Sequence, residues 1–327
     1  MGSGDWAWDR FWHFDRVASC CDEEGRSNYD PRIADGWRNW FASLPDKTRI
    51  LDLCTGNGAI PLLALEVSED RNKRFAITGV DRAAIDPAHF AVTRRDRLRK
   101  IDFREHVEAE QLPFADHSFD AVISQYGIEY SDLTRSLPET VRVLAAGGGL
   151  RFCMHAAEGT VVQSTRAQLA DADFVLDEIA LPARTEEAFI AILAVERTAA
   201  PSDDAKAAAD RAFAAFGDAL AATARRIPKA ADQKMLHTIG SVIAHAFENR
   251  GHFDLQVLLD KAAEMRDEVE AHRIRQRALV DAAITRERLA MISSQLESLG
   301  LSKVDTSEIR PAQDRFLGYV VSAELPR

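Results

Sequence analysis

Short apolar runs alternate with amphipathic stretches over the first half of the chain. Five runs have the length and composition of strands: TRILDLC, FAITGVD, IDFREHVEA, SFDAVISQY and LRFCMHA. Helical patterns separate them, among them AIPLLALEVS, AAIDPAHFAVTRRDRLRK and LTRSLPETVRVLA, and AGGG is predicted as a turn before the fifth strand. Such alternation predicts a parallel sheet with helices on both faces.

The pattern changes after about residue 157, where almost every stretch up to about residue 300 has helical spacing. The last two segments, SKVDTSEIR and FLGYVVSAEL, alternate again and are predicted as the final strands of the same sheet. We therefore expect one α/β core with a large helical insertion after strand five. The expected boundaries are 1–157 for the aromatic N-terminal helices and core, 158–290 for the insertion, and 291–327 for a last helix and strands.

Composition narrows the function classes. The chain has 327 residues, 46% of them hydrophobic, and its net charge is −11, which disfavours a large nucleic-acid footprint. The spacing of its four cysteines fits neither a zinc site nor a disulfide framework, and adjacent Cys20 and Cys21 are predicted to be reduced thiols. No apolar run approaches the length of a membrane span and no secretory leader opens the chain, so a cytoplasmic protein without a metal is expected.

The segment LDLCTGNG carries the first chemical signal. Gly56 and Gly58 stand where a strand becomes a helix, so the backbone can approach a ligand and helix N–H groups can face it. Asp81 follows the next strand, where an acid accepts from the hydroxyls of a ribose or caps a helix starting at Ala83. A dinucleotide-binding dehydrogenase would need glycine at position 61, where Pro61 stands, so that alternative is disfavoured.

Five motifs in order resemble the class I S-adenosylmethionine-dependent methyltransferases, in the branch that modifies small molecules. They are LDLCTGNG, the acid Asp81, the pair Glu108–Ala109 before LPF, SFD opening strand four, and RVLAAGGG before strand five. The resemblance covers roughly residues 30–156 and, more weakly, 290–325. Three positions depart from the family pattern: Cys54 replaces a glycine, Glu108 replaces an aspartate, and Ala146 replaces a proline.

The resemblance implies a Rossmann-like sheet of seven strands with an antiparallel last strand, and S-adenosylmethionine as cofactor, with S-adenosylhomocysteine as product. Asp52 is then expected beside the methionine moiety, Asp81 at the ribose, and Glu108 and Ala109 at the adenine. The full cofactor-binding set implied in this way is Tyr29, Asp52, Cys54, Thr55, Gly56, Asn57, Gly58, Asp81, Arg82, Glu108, Ala109, Ser124, Gln125 and Tyr126.

Catalysis needs few further groups, because a sulfonium methyl is already a good electrophile and in-line positioning supplies much of the rate. A general base is required only if the acceptor arrives protonated. His155 after strand five, and Tyr126 and Glu129 after strand four, are the candidates, each with a structural role as the alternative. Trp8, Phe11 and Trp12 share one helical face and are predicted to hold that helix on the core; the alternative is that Trp6, Trp8 or Trp12 forms a wall of the substrate pocket.

The position of the insertion after strand five predicts a lid, a dimerisation platform, or both. Enclosure and acidity favour a small-molecule acceptor over nucleic acid, and SQYG at 124–127 lacks the tetrapeptide of adenine methyltransferases. Methylation of RNA or protein, and a cofactor-binding protein without transferase activity, are the alternatives that stay open.

Overall fold

The computed structural model describes residues 5–18, 28–29, 31–311 and 315–327, so the prediction for Cys20 and Cys21 lies outside the described residues. The chain forms two compact units. The first comprises residues Met1–Gln163 and Ala278–Arg327, and the second comprises Ser164–Arg277. The boundaries predicted from the sequence remain a proposal.

The first unit is built on a seven-stranded sheet with the strand order β3-β2-β1-β4-β5-β7-β6. Its strands are β1 (Arg49–Leu53), β2 (Ala76–Val80), β3 (Asp102–Arg104), β4 (Phe119–Gln125), β5 (Leu144–His155), β6 (Ser302–Ile309) and β7 (Gly318–Glu324). Strands β1 to β5 pair in parallel, and β7 runs antiparallel to both β5 and β6. The predicted Rossmann-like sheet with an antiparallel last strand is confirmed.

Two strands differ in length from the prediction. β3 has only three residues, because His106 adopts a left-handed φ of 56° and ends the extended run. β5 has twelve residues and includes the AGGG segment that was predicted as a turn. That segment stays in the sheet because the Gly147 N–H donates to the Leu325 carbonyl and the Leu325 N–H donates to Gly148. The irregularity appears instead as a register shift between β4 and β5.

The helices are α1 (Asp5–Trp12), α2 (Pro31–Ser43), α3 (Ala59–Asp70), α4 (Pro87–Phe90), α5 (Arg95–Leu98), α6 (Leu133–Val143), α7 (Thr160–Asp173), α8 (Leu181–Glu196), α9 (Asp203–Arg226), α10 (Gln233–Glu248), α11 (Leu255–Ala282) and α12 (Arg286–Ser298). Short 3-10 helices occupy Val92–Arg94, Ile128–Tyr130, Ile227–Lys229 and Arg250–His252, and a π-helix occupies Phe174–Glu178. The single helix predicted after strand two is wrong: Asp86 caps a new start at Pro87, and two further short pieces follow.

Side-chain alternation along the strands builds two cores in the first unit. Ile50 and Ile123 pack with Trp37 and Leu63 from α2 and α3 on one face. Leu51 belongs to a second buried cluster that includes residues of α6 and α12. This layering leaves the carboxyl ends of the parallel strands as the edge where loops can build a site.

The second unit is helical and has its own apolar core, which includes Phe216, Leu236 and Val269. In the described ranges of the chain, no helix is long and apolar enough to cross a membrane.

Candidate functional site

The turn between β1 and α3 contains three residues with left-handed backbone in five positions. Cys54, Gly56 and Gly58 have φ values of 56°, 51° and 82°. The Thr55 N–H donates to the Val80 carbonyl at 3.0 Å, which holds the turn against the end of β2. Gly58 precedes α3 without any side-chain cap. The turn therefore presents backbone rather than side chains, as the sequence predicted for a ligand-binding bend.

Asp52, near the end of β1, is buried. The Thr55 hydroxyl donates to Oδ2 of Asp52 at 2.6 Å, whereas Oδ1 has no hydrogen-bond partner among the described residues. The pKa of Asp52 is raised to about 8: burial is the main cause, the Thr55 hydrogen bond opposes the rise, and the negative charge of Asp81 adds to it. Without a cation beside it, this carboxyl is largely protonated at neutral pH.

Asp81 connects the glycine turn to the loop after β2. Its Oδ2 accepts from the Gly56 N–H at 2.8 Å and its Oδ1 accepts from the Ala83 N–H at 2.9 Å. Burial raises the pKa of Asp81, and these two hydrogen bonds oppose the rise. No helix begins at Ala83, so the expected helix-capping alternative is replaced by a loop contact. Neighbouring Arg82 forms an ion pair with Asp5 of α1 at 3.0 Å.

Negative charge accumulates around the turn. The pKa of the Cys54 thiol is raised well above its ordinary value, first by burial and then by the charges of Asp81, Glu129 and Asp52. Within the described ranges, none of these three carboxyls is paired with a lysine or arginine in an ion pair. The site is thus short of positive charge, which a cationic ligand would supply.

The residues at the end of β4 have different roles. The Ser124 hydroxyl donates to the Leu53 carbonyl at 2.9 Å and accepts from the Ile128 N–H at 3.0 Å, so it joins β1 to the 3-10 turn. Gln125 accepts a hydrogen bond from the indole N–H of Trp37 on α2 at 2.6 Å. Sequence reasoning missed this contact, because nothing in the local pattern links residues so far apart.

The three catalytic candidates lie in one cluster. Oε1 of Glu129 accepts from the His155 backbone N–H at 3.0 Å and lies 2.9 Å from Nδ1 of the His155 imidazole. Both side chains are almost fully buried, at 1% and 3% exposure. The Tyr126 ring stacks on the imidazole with ring centres 4.0 Å apart, and Tyr29 contacts Tyr126 edge-on.

The two residues predicted at the adenine, Glu108 and Ala109, differ in solvent exposure. Ala109 is buried in the core beside β1 and β2, while Glu108 is exposed and its carbonyl accepts from the Gln111 N–H. The Val107 N–H donates to the Asp81 carbonyl at 2.8 Å, which places this loop next to the end of β2.

The N-terminal segment, residues 5–18, packs on the glycine turn. A Cβ added at Gly56 would lie 2.3 Å from the Trp12 indole. The Asn57 amide donates to the carbonyls of Trp12 and Arg16 at 2.9 and 2.8 Å. Asp9 accepts from the Ala84 N–H at 2.7 Å. Asn57 belongs to the predicted cofactor-binding set, and its side chain contacts this segment.

Comparison with known proteins identifies the domain that carries these features. Residues 50–148 match the protein family described as a methyltransferase domain. This range contains the glycine turn, Asp81, the Glu108–Ala109 pair and the end of β4. This match and the sheet topology identify residues 50–148 as a methyltransferase domain of the class I, S-adenosylmethionine-dependent family. S-adenosylmethionine is the cofactor of this family.

Individual relatives match part of this chain. The demethylmenaquinone methyltransferase of Thermus thermophilus is 39% identical over 106 residues, which is 31% of this chain and 44% of that protein. The protein of the same name from Bacteroides fragilis is 29% identical over 142 residues, 42% of this chain and 56% of that protein. The match thus spans about half the length of these curated relatives. A solved methyltransferase from Methanosarcina mazei is 14% identical with a TM-score of 0.41, covering 91% of this chain and 99% of that chain, too distant to support a conclusion.

The residues present in this methyltransferase domain fit S-adenosylmethionine. S-adenosylmethionine carries a sulfonium and an ammonium, and the turn is surrounded by the carboxyls of Asp52, Asp81 and Glu129, none of which forms an ion pair with a lysine or arginine in the described parts. The unpartnered Oδ1 of Asp52 can accept from an ammonium. The bare turn can admit the cofactor, with Trp12 lying beside it.

Asp52→Asn is expected to flatten the pH dependence of stability. Between about pH 4 and 8 the folded carboxyl keeps a proton that the unfolded chain releases, because its folded pKa is about 8 and the ordinary pKa of an aspartate is 3.8. The free energy of unfolding of the wild type therefore falls as pH rises through this range, by at most about 1.4 kcal/mol per pH unit from this group. Thermal unfolding of the cofactor-free protein at about pH 5.5 and about pH 7.5, both inside this range, measures how much stability is lost between them.

Asp120→Asn is the control for that measurement. Arg49 lowers the pKa of Asp120, so its titration lies below the pH range compared and should leave the slope unchanged. A slope in Asp52→Asn equal to that of the wild type would show that Asp52 ionises normally in the folded state.

Proposed function

We propose that this chain binds S-adenosylmethionine at the carboxyl ends of β1, β2 and β4 and transfers its methyl group to a small-molecule acceptor. The observation that carries the proposal is the convergence of Asp52, Asp81 and Glu129 on a turn of bare backbone, where none of the three forms an ion pair with a lysine or arginine among the described residues. Such a site favours a ligand that carries positive charge and presents hydroxyls.

Each part of the cofactor has a proposed partner. Asp52 would accept from the ammonium, and Asp81 would accept from the ribose hydroxyls while it keeps its bond to Gly56. Ala109 would form the apolar side of the adenine pocket, with Glu108 at its rim. Tyr29 and Tyr126 would line the path between the amino-acid end and the acceptor.

The bound cofactor supplies an electrophilic methyl group on a sulfonium, whose carbon–sulfur electron pair stays with sulfur as a neutral thioether. The protein's own contribution is then proximity and, for a protonated acceptor, removal of a proton. We propose that His155 accepts this proton at Nε2, while Glu129 accepts from Nδ1–H and so holds the tautomer. The stacked Tyr126 ring would fix the plane of the imidazole.

A small-molecule acceptor is supported by two observations. Several curated relatives are named demethylmenaquinone methyltransferases, and the whole chain has a net charge of −11, which opposes a polyanionic partner. We also propose a lid or dimerisation role for residues 158–290, a homodimer, and a cytoplasmic location.

A turnover assay tests the activity. The protein is incubated with S-adenosylmethionine and a panel of phenols, quinols including a demethylmenaquinone analogue, amines, thiols, an RNA pool and a protein extract, and S-adenosylhomocysteine is measured. We expect turnover with at least one small molecule and none with the polymers. Binding without turnover on any acceptor would favour a cofactor-binding protein without transferase activity. Turnover on RNA or protein alone would show that the acceptor is a polymer and not a small molecule.

Asp81→Ala is expected to lower the affinity for S-adenosylmethionine at least about tenfold, because a hydrogen-bonded carboxylate at the ribose contributes roughly 1.5–3 kcal/mol. Isothermal titration calorimetry measures the change. The variant also loses the acceptor for the Gly56 and Ala83 N–H groups, so some loss of stability is expected as well.

Asp132→Ala is the matched control. Asp132 also accepts from a backbone N–H, that of Thr134, as the N-terminal cap of α6, and it is exposed. Its replacement should cost about 1 kcal/mol of stability and leave cofactor affinity unchanged. Wild-type affinity in Asp81→Ala would show that the ribose is held elsewhere.

A further inference from the structure

The side-chain amide of Gln125 has an orientation that Trp37 fixes. The indole N–H can only donate, and it donates at 2.6 Å to the Gln125 oxygen, so that atom must be the carbonyl oxygen. The other terminal atom of the amide, Nε2, is therefore the nitrogen of the NH2 group. Gln125 is 6% exposed, and its NH2 group has no hydrogen-bond partner among the residues that the structure describes. A buried donor of this kind is costly unless a ligand completes it.

The strand register places this donor on the same face of the sheet as Asp52. Asp52 pairs with Ile123 of β4, and Gln125 lies two residues further along that strand. Side chains two residues apart in a strand point to one face. The carboxyl ends of β1 and β4 thus carry, on one face, an acceptor without a partner at Asp52 and a donor without a partner at Gln125 in the described chain.

The two sides of this face carry different ionisable groups. Asp52 lies on β1, whereas the cation on the β5 side is Arg151, whose guanidinium lies 5.4 Å from the Trp37 ring centre. Arg151 pairs in register with Ile123, so its side chain belongs to the same face and lies two strand positions before that of Gln125. A ligand group with an ammonium and a carboxylate on one carbon matches this polarity, with the ammonium toward β1 and the carboxylate toward β4.

We propose that the Gln125 NH2 group donates to the α-carboxylate of the cofactor's amino-acid end, and that Trp37 is the positioning residue that aims it. This inference rests on the proposed function, since it assigns a partner to one group of the same cofactor. It makes Gln125 a specificity determinant for ligands that carry the carboxylate.

Calorimetry with two ligands tests the proposal: S-adenosylhomocysteine and its decarboxylated analogue, which keeps the amine and lacks only the carboxylate. The wild type should prefer S-adenosylhomocysteine by about tenfold or more, as expected for a hydrogen bond to a charged group. Gln125→Met should lower that preference to about twofold or less, with the affinity for the analogue unchanged. Trp37→Phe should lower the preference to roughly a third of its wild-type value, because the Gln125 amide can then rotate.

The preference is a ratio measured within each variant, so a general loss of stability affects both ligands alike. Gln295→Met, which removes a partly buried glutamine of α12 that donates to the Leu133 carbonyl, should leave the ratio unchanged. If Gln125→Met does not fold, Gln125→Glu still accepts from Trp37, carries no donor and should lose the preference.

Two outcomes overturn the proposal. A wild-type preference that persists in Gln125→Met, or no preference in the wild type, shows that the carboxylate is not recognised by Gln125. Failure of the wild type to bind S-adenosylhomocysteine at all would instead refute the proposed function, and this inference with it.

Discussion

Gly56→Ala is expected to lower the affinity for S-adenosylmethionine about a hundredfold, which corresponds to roughly 2.7 kcal/mol. Two effects add. A left-handed φ of 51° costs an alanine about 1–2 kcal/mol, and its Cβ would lie 2.3 Å from the Trp12 indole. Either the turn or the indole must move, and the Gly56 N–H that donates to Asp81 moves with the turn. Calorimetry measures the loss, with the thermal midpoint recorded in parallel.

Gly300→Ala separates the two effects. Gly300 has a φ of 91°, and a Cβ added there would meet nothing within 4 Å. This variant therefore carries the backbone penalty without the collision, and it should lose about 1 kcal/mol of stability while its cofactor affinity stays unchanged. Combining Gly56→Ala with Trp12→Ala should recover part of the affinity. An affinity in Gly56→Ala within about threefold of the wild type would mean that the cofactor does not approach this turn.

The parts of the fold that were predicted correctly depend on local pattern. Strand–helix alternation and the two final β segments indicated the sheet, and the family motifs indicated its antiparallel last strand. Helix continuity after β2 was predicted wrongly, because Asp86 accepts from the His89 N–H and starts a new short helix at Pro87. The periodicity of apolar residues across that region was insensitive to this local cap.

The side-chain contacts that define the site were beyond prediction from the sequence. Trp37 and Gln125 are 88 positions apart, and Asn57 reaches the Trp12 carbonyl across 45 positions. No spacing rule links such residues, since their contact depends on how α1 and α2 pack on the sheet. The sequence did identify His155, Glu129 and Tyr126 as separate candidates, and only the structure joins them in one cluster.

That cluster leads to the second prediction: His155→Gln should lower the turnover rate on a protonated acceptor about a hundredfold, the lower range for loss of a general base. Glu129→Gln should lower it about tenfold, because glutamine can still accept from the His155 backbone N–H but cannot stabilise the imidazolium as a carboxylate does. Steady-state kinetics with the acceptor from the turnover panel measures both. The KM for the acceptor should stay within about twofold, since neither change removes a binding contact.

Two matched controls and one double variant decide whether the pair acts in catalysis or only in folding. His117→Gln removes a histidine whose Nδ1 lies 2.9 Å from the Leu144 carbonyl, and Glu139→Gln removes a carboxylate that accepts from the Leu112 N–H. Both can lower stability but should leave the turnover number unchanged. If Glu129 acts through His155, the double variant is no slower than His155→Gln alone. Equal turnover in Glu129→Gln and the wild type, with a lower thermal midpoint, would reduce the pair to a structural link between the Ile128–Tyr130 turn and β5.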